Sequence, residues 1–304
     1  MGKLRYNIAL VVSNILFGIS FPIYVSLLRG AISPTMLFAI QLLGSAIIFA
    51  PFALRRRSIV QLSLNDFGSI FIVALLVVFG WWYLLVEGAS HTNPVDASTI
   101  ATIGPIFTLI VAMIAESRRA TKGENIGITI ALLGIFALLF DRGRSLISTN
   151  GEGYGNALVL CATIAIAANT VLITPVLRRH NVATVMGWYY IIGSLLAMPL
   201  LTEQLRHIAT LHLRTSEWLE LGYIVTLGSA LPMCLLYLGS KHLTSTHTAL
   251  YRYIQPIIAA IVAVHRHQTK IDRTNIIGAA LIFTGMLCVI LFAPRHKGKQ
   301  STRE

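Results

Sequence analysis

What this sequence has least of is charge. Asp, Glu, Lys and Arg together make up 12% of its 304 residues, about half the roughly 25% usual in a soluble domain. Acid is scarcer than base, with 12 Asp and Glu against 24 Lys and Arg. A globule this poor in charge would present broad apolar patches to water and aggregate, which excludes an ordinary soluble fold. Cysteine is nearly absent. Cys161, Cys234 and Cys288 stand far apart inside apolar runs, so they read as small packing residues, neither a disulfide framework nor a metal-ligand set. There is no Gly-Lys-Ser/Thr phosphate loop, so ATP-driven work would need another subunit. No Ser, His and Asp set is placed for hydrolysis, and the chain does not read as an enzyme.

Against these absences stand long apolar runs. The chain is 55% hydrophobic with a mean hydropathy of +0.73, and a helix needs about 20 apolar residues to cross a bilayer. Ten segments meet that length, approximately 7–28, 33–54, 68–87, 96–115, 124–140, 154–177, 182–201, 218–238, 245–264 and 275–293. They leave no room for a soluble domain, and the longest connection, 202–217, reads as a surface loop. Lys3 and Arg5 precede an apolar run that reaches Leu28 with no small-residue cleavage site after it, so the start reads as a first span and not a signal peptide. Tyr6 stands where a myristoylation signal wants Ser or Thr. The net charge of +12 and pI near 10.0 come from short basic clusters between apolar runs. Such clusters flank spans and meet anionic headgroups, so the expected partner is the lipid bilayer and not nucleic acid.

Residues 84–134 recur downstream in fixed register. Leu84-Leu85 matches Leu235-Leu236, Gly88 matches Gly239, His91 matches His242, and Pro105-Ile106 matches Pro256-Ile257. Gly127 and Gly134 match Gly278 and Gly285. Matched aliphatics weigh little in so apolar a chain, but a shared Pro, His and three Gly without a gap make a tandem repeat. The first two spans repeat more weakly in a register two residues shorter, with Asn7 on Asn156, Arg29 on Arg178 and Gly44-Ser45 on Gly193-Ser194. The expected units are therefore 1–145, 150–295 and a basic tail, 296–304, on the cytoplasmic side.

Five spans per half is an odd number, so the second half would enter the membrane upside down relative to the first. The expected fold is an all-α polytopic membrane protein, ten transmembrane helices in two inverted five-helix repeats, the arrangement of many secondary transporters. With the first residues inside, one face collects Lys3, Arg5, Arg55–Arg57, Arg118, Arg119, Lys122, Arg178, Arg179, Lys241 and the basic tail. The other face has fewer, among them Arg29, Arg142, Arg144, Arg206, Arg214 and Arg266. The positive-inside bias therefore places both termini in the cytoplasm. The glycine pairs Gly127/Gly134 and Gly278/Gly285 give close helix packing within the molecule or a dimer contact. Monomer and homodimer both stay open.

Several of these residues resemble the drug/metabolite transporter superfamily, in its EamA-type branch with two five-helix repeats. The likeness covers about 7–293 and is carried by Asn14-Ile15-Leu16-Phe17-Gly18 with Pro22, by Pro34, by Gly80, Tyr83, Leu84 and Ala89, and by Pro105 followed by Glu116. Two positions depart from the family: Gln41 where an Arg is frequent, and His267 where the second half commonly repeats the Glu. The resemblance implies a multi-pass protein of the inner (cytoplasmic) membrane that moves small organic solutes, often amino acids and their relatives, commonly as export. Multidrug efflux and nucleotide-sugar carriage are the alternatives within the fold; an intramembrane enzyme and a channel are those outside it. No cofactor is expected, and a small-molecule substrate is.

Arg252, four residues before Pro256 in the ninth span, is the sharpest single feature. A charge at that depth costs several kcal/mol unless it faces a cavity or a partner. It reads either as a guanidinium fork for a substrate carboxylate or phosphate, or as a structural ion pair or a side chain snorkelling to headgroups. Tyr251 flanks it, and Gln255, Asn14 and Thr102, with Ser20 and Gln41, supply uncharged hydrogen-bonding groups at membrane depth. Trp82 and Tyr83, in the run that starts at Trp81, and Trp188 in the seventh span suit an aromatic cavity wall or plain packing. Glu87 and Asp96 would pair with Arg252, carry a proton or simply sit hydrated at span ends; Glu116 reads as a gating or helix-end charge. His265 and His267 lie in a basic loop that repels cations, so no metal is expected. Pro105 and Pro256 each remove a helical donor at matched places, and paired breaks of this kind point to a midplane site. The expected site is centred on the fourth and ninth helices, with the third and eighth beside them.

Overall fold

A computed structural model describes residues 2–30, 32–55, 62–92, 94–101, 103–115, 119, 121–139, 151–208, 211–243, 248, 251–268 and scattered positions between 276 and 288. Among the described residues the chain is helical, without strands. An apolar solvent dictates this, because every backbone N–H and C=O must find its partner inside the segment. The helices are α1 (Gly2–Leu28), α2 (Pro34–Ala53), α3 (Leu64–His91), α4 (Pro94–Ala101), α5 (Gly104–Ala115) and α6 (Lys122–Leu139). After them come α7 (Glu152–Arg179), α8 (Val182–Leu196), α9 (Met198–Ile208), α10 (Thr215–His242) and α11 (Ile254–His265).

Local chemistry sets the helix starts. Ser33 caps α2 by accepting from the Met36 N–H, with Pro34 in the first turn where its missing N–H costs nothing. Ser63 and Asp66 form a reciprocal capping box at the start of α3, and Asn181 caps α8. Among the described residues five helices are long and apolar enough to cross a membrane, Leu4–Leu28, Pro34–Ala53, Leu64–His91, Glu152–Arg179 and Thr215–His242. Counting α8 and α9 as one bent span makes six. The segment read from sequence as the end of a span and a loop is instead α9, turned 74° from α8. Pro199 explains the bend: it has no N–H to continue α8, and its ring opposes the carbonyl four residues back.

The two copies interlock. α1 packs on α11 and on the C-terminal part of α10, while α7 packs on α5 and on the C-terminal part of α3. The repeat maps α1 onto α7, α3 onto α10 and α5 onto α11, so each of these contacts has its mate; α2 against α8 is the self-paired contact. Close approach depends on the matched glycines. A Cβ on Gly88 would sit 2.9 Å from the Gly155 carbonyl oxygen and Val159 Cγ2, and one on Gly239 would sit 2.6 Å from Leu10 Cγ. Leu10 and Val159 are themselves repeat equivalents.

Helix ends meet in two sets. In one, Tyr6 stacks on His242 with centroids 4.0 Å apart, Asp66 Oδ1 lies 2.8 Å from Arg179 Nη2, and Lys241 Nζ donates to the His180 carbonyl at 2.8 Å. In the other, His91 meets Tyr154 edge-on, Arg266 pairs with Glu220 at 2.5 Å, and Gln268 donates to the Pro22 carbonyl at 2.9 Å. Large apolar side chains face outward, with Ile47, Ile114 and Leu219 exposed at 74%, 73% and 72%, as a lipid-facing surface requires.

Candidate functional site

The fourth segment is broken. α4 ends at Ala101 and α5 begins at Gly104, with the Ile103 N–H turned to the Ile100 carbonyl at 3.1 Å and not to a residue four back. In the second copy a 3₁₀ turn, Tyr251–Tyr253, leads into α11. The repeat pairs Ala101 with Arg252 and Gly104 with Gln255, so the two breaks coincide. Pro105 and Pro256 lie just past them, in the first turns of α5 and α11, where a missing backbone N–H costs nothing. α3 and α10 are also irregular at matched places, with widened π-helical turns at Leu76–Tyr83 and Thr226–Ala230. Such turns recur at functional sites.

Both breaks border one cavity of about 40 Å³, space for a few waters or the polar end of a solute. Its walls are Phe17, Ser20, Phe21 and Tyr24 of α1, Trp81 and Leu85 of α3, Ala101 of α4, Thr163 and Ile166 of α7, Leu236 of α10, and Arg252 and Gln255. Arg252 is only 8% exposed. A Cβ on Gly104 would lie 2.5 Å from its Nη1, so a glycine at the first break makes room for the guanidinium of the second. Among the described residues no acceptor bonds that guanidinium and no carboxylate lies within 4.0 Å of it.

The neutral polar groups around it are well held. Gln255 Nε2 donates to Asn14 Oδ1 at 2.7 Å, and Asn14 Nδ2 donates to the Leu10 carbonyl at 2.7 Å, which joins α1 to α11 and leaves Gln255 Oε1 to the cavity. Gln41 Nε2 donates to the Tyr24 hydroxyl at 2.5 Å, so that phenol keeps its own proton to donate. Ser20 Oγ donates to the Leu16 carbonyl at 2.8 Å. The site therefore offers one cation, three hydroxyl-bearing side chains (Ser20, Tyr24 and Thr163), an amide and walls of Phe17, Phe21 and Trp81, and none of the residues lining it is a carboxylate.

The sequence-predicted residues divide. Arg252 and Gln255 line the cavity, and Asn14 stands behind Gln255. Trp82 is buried against Trp81 and Tyr190, with ring centroids 5.7 and 5.4 Å away. Tyr83 packs edge-on to Phe38, Trp188 packs edge-on to Phe67 at 5.0 Å, and Tyr251 rests half-buried on the larger apolar core. None of these four lines the cavity. Pro256 is buried in the first turn of α11, and the Pro105 backbone lies in the first turn of α5. Thr102 and Glu116 lie outside the described residues.

Neither carboxylate expected near Arg252 reaches it. Glu87 faces His91 Nε2 at 3.5 Å, and Asp96, buried in the first turn of α4, lies 3.4 Å from Asn156 Nδ2. Three other acids sit at helix starts, where they meet free backbone N–H groups. Asp66, Glu124 and Glu217 each accept from the backbone three residues back. Phe17, Phe21 and Tyr24 were missed as wall residues, although their spacing of four, three and seven, with Ser20 among them, marks one face of a helix.

Comparison with known proteins extends this picture. The family model described as the EamA-like transporter family matches twice, over residues 4–140 and 153–291. The chain is 21% identical over 238 residues to the "Uncharacterized transporter YyaM" of Bacillus subtilis (strain 168), covering 77% of each. It is 22% identical over 222 residues to the S-adenosylmethionine uptake transporter of Rickettsia prowazekii (strain Madrid E), covering 71% of this chain and 69% of that one. A solved crystal structure superposes with a TM-score of 0.62 over 95% of this chain and 99% of its own, at 16% identity, a likeness of fold.

Proposed function

The chain belongs to the EamA-like transporter family, and from that premise we propose a ten-span secondary transporter of small metabolites that carry a carboxylate, amino acids and their relatives, working by alternating access. In this reading 1–145 and 150–295 are the two repeats, inverted in the inner membrane with both termini cytoplasmic, and export is the direction that the family resemblance suggests. The observation that carries the substrate class is Arg252. It is a buried guanidinium without a protein partner among the described residues, and it stands where both helix breaks meet one cavity. Guanidinium presents a planar fork of donors matched to a carboxylate. Removing such a charge from water costs several kcal/mol, which an anionic solute would offset on binding.

The paired helix ends support inversion. Tyr6 with His242 and Asp66 with Arg179 join ends that ten alternating crossings place on one face; Arg266 with Glu220 and Gln268 with Pro22 join ends on the other. In mechanism, the solute's anion would take the Arg252 fork. The Tyr24 hydroxyl and Gln255 Oε1 would take its polar neighbours, and Phe17, Phe21 and Trp81 its apolar part. The α1–α11 seam at Asn14 and Gln255 joins the two repeats beside the site, where rocking of one against the other would open it to either face. A purely cationic drug fits poorly, because no carboxylate lines the cavity. The relative named for S-adenosylmethionine uptake acts on an amino-acid derivative, which accords with this class.

Counterflow in proteoliposomes with a panel of labelled metabolites tests the reading. Carboxylated solutes should accumulate, and Arg252→Ala should abolish or weaken their uptake by tenfold or more. A carboxylate transported by Arg252→Ala with unchanged affinity would overturn the anion-fork assignment.

A further inference from the structure

Among the described residues no carboxylate balances the charge of Arg252, and a guanidinium does not shed its proton to escape. Three described carboxylates of the first repeat are engaged elsewhere. Glu87 faces His91, Asp96 lies beside Asn156 in the first turn of α4, and Asp66 holds Arg179 and His180 at the far end of α3. Phe17, Phe21, Trp81, Leu85 and Leu236 make much of the wall apolar, and a cavity of about 40 Å³ holds a few waters at most, a poor substitute for bulk solvation of a cation. A bound anion changes that balance. The ion pair is net neutral, and it passes through the occluded state without carrying a bare charge out of water.

We infer that this protein is an obligate anion exchanger, one that reorients only while an anion occupies Arg252. This rests on reading Arg252 as the site for the solute's anion. The loaded protein turns over quickly in either direction and the empty protein stalls, so each outward passage is matched by an inward one. Arg252, with Gln41 neutral beside Tyr24, is balanced by a solute of one net negative charge such as a 2-oxo acid, and not by a zwitterionic amino acid, which brings its own ammonium. Exchange of like for like is then electroneutral.

The test uses the full chain in liposomes loaded with a uniformly ¹³C-labelled mixture of 2-oxo acids, each of one net negative charge, with release followed by mass spectrometry. The outer medium holds sucrose alone, sucrose with sodium chloride, or sucrose with the unlabelled mixture. Release should be at least tenfold faster with the unlabelled mixture than with sucrose alone, and unchanged by a potassium-valinomycin potential. Acceleration by chloride as well would assign the return step to small anions generally and still support exchange. Equal release in all three media would overturn exchange and leave the anion site standing. Release of nothing under any condition would overturn both. Arg252→Gln, its fold checked by thermal unfolding, should release whatever it still carries equally in all media. A persisting tenfold dependence in that variant would overturn the role given to the charge.

Discussion

A single methyl group at Gly104 disturbs the site with little effect on the fold. The added Cβ of Gly104→Ala would sit 2.5 Å from Arg252 Nη1 and 3.4 Å from Thr163 Cγ2. The second distance is ordinary contact; the first is not, and carbon prefers about 3.5 Å or more. The guanidinium must therefore retreat by about an ångström. It is the far end of a flexible side chain, so the retreat should cost stability less than about 1 kcal/mol, within the range of an unremarkable substitution. A fork displaced by that much no longer meets its anion squarely, and affinity should fall about tenfold, about 1.4 kcal/mol. Half-saturation of counterflow reads the affinity, and thermal unfolding in detergent reads the fold. The effect should vanish in an Arg252→Met background, where nothing remains to displace, giving a coupling close to the whole of the single-mutant effect. Unchanged affinity in Gly104→Ala, or an equal loss in both backgrounds, would refute the placement of Arg252 as the anion's partner.

Gly88→Val should lower stability by about 1–3 kcal/mol through overpacking, since its Cβ meets the Gly155 backbone oxygen, which cannot give way. Gly222→Ala, with nothing within 4 Å of its Cβ, should be neutral or gain up to about 1 kcal/mol of helix propensity in the same melting assay. Gln255→Leu orphans the buried Asn14 oxygen and should cost about 1–3 kcal/mol; an unchanged melting temperature would count against the α1–α11 seam. Asp66→Asn removes the carboxylate that holds Arg179 and His180. It should cost about 1–2 kcal/mol, largely through lost hydrogen bonds because Arg179 is well exposed.

Much of the architecture was legible because it is written twice. Gly88 and Gly239, and Pro105 and Pro256, stand in register, and the structure puts glycine contacts and helix breaks at those places. The walls were harder to read. Trp82, Tyr83 and Trp188 attract attention by size, yet each packs against other rings; aromatic identity says nothing about which side of a helix faces the path. The actual wall on α1 depends on a stripe, Phe17, Phe21 and Tyr24, that only helical phase reveals. The bend at Pro199 was hidden because the apolar run continues through it. Asp96 could be placed near a span end from sequence but its neighbour could not: buried in the first turn of α4, it lies 3.4 Å from Asn156 Nδ2 of the other repeat.

The central claim is that two upside-down halves enclose one cavity, and the sidedness of two helix ends tests it most directly. Lys122 opens α6 and Gln268 follows α11, each on the C-terminal side of a broken helix. With Cys161, Cys234 and Cys288 changed to alanine, Lys122→Cys and Gln268→Cys can be probed separately with a membrane-impermeant maleimide. Gln268→Cys should label in intact cells, and Lys122→Cys only after permeabilisation. Labelling of both under the same condition would contradict the account.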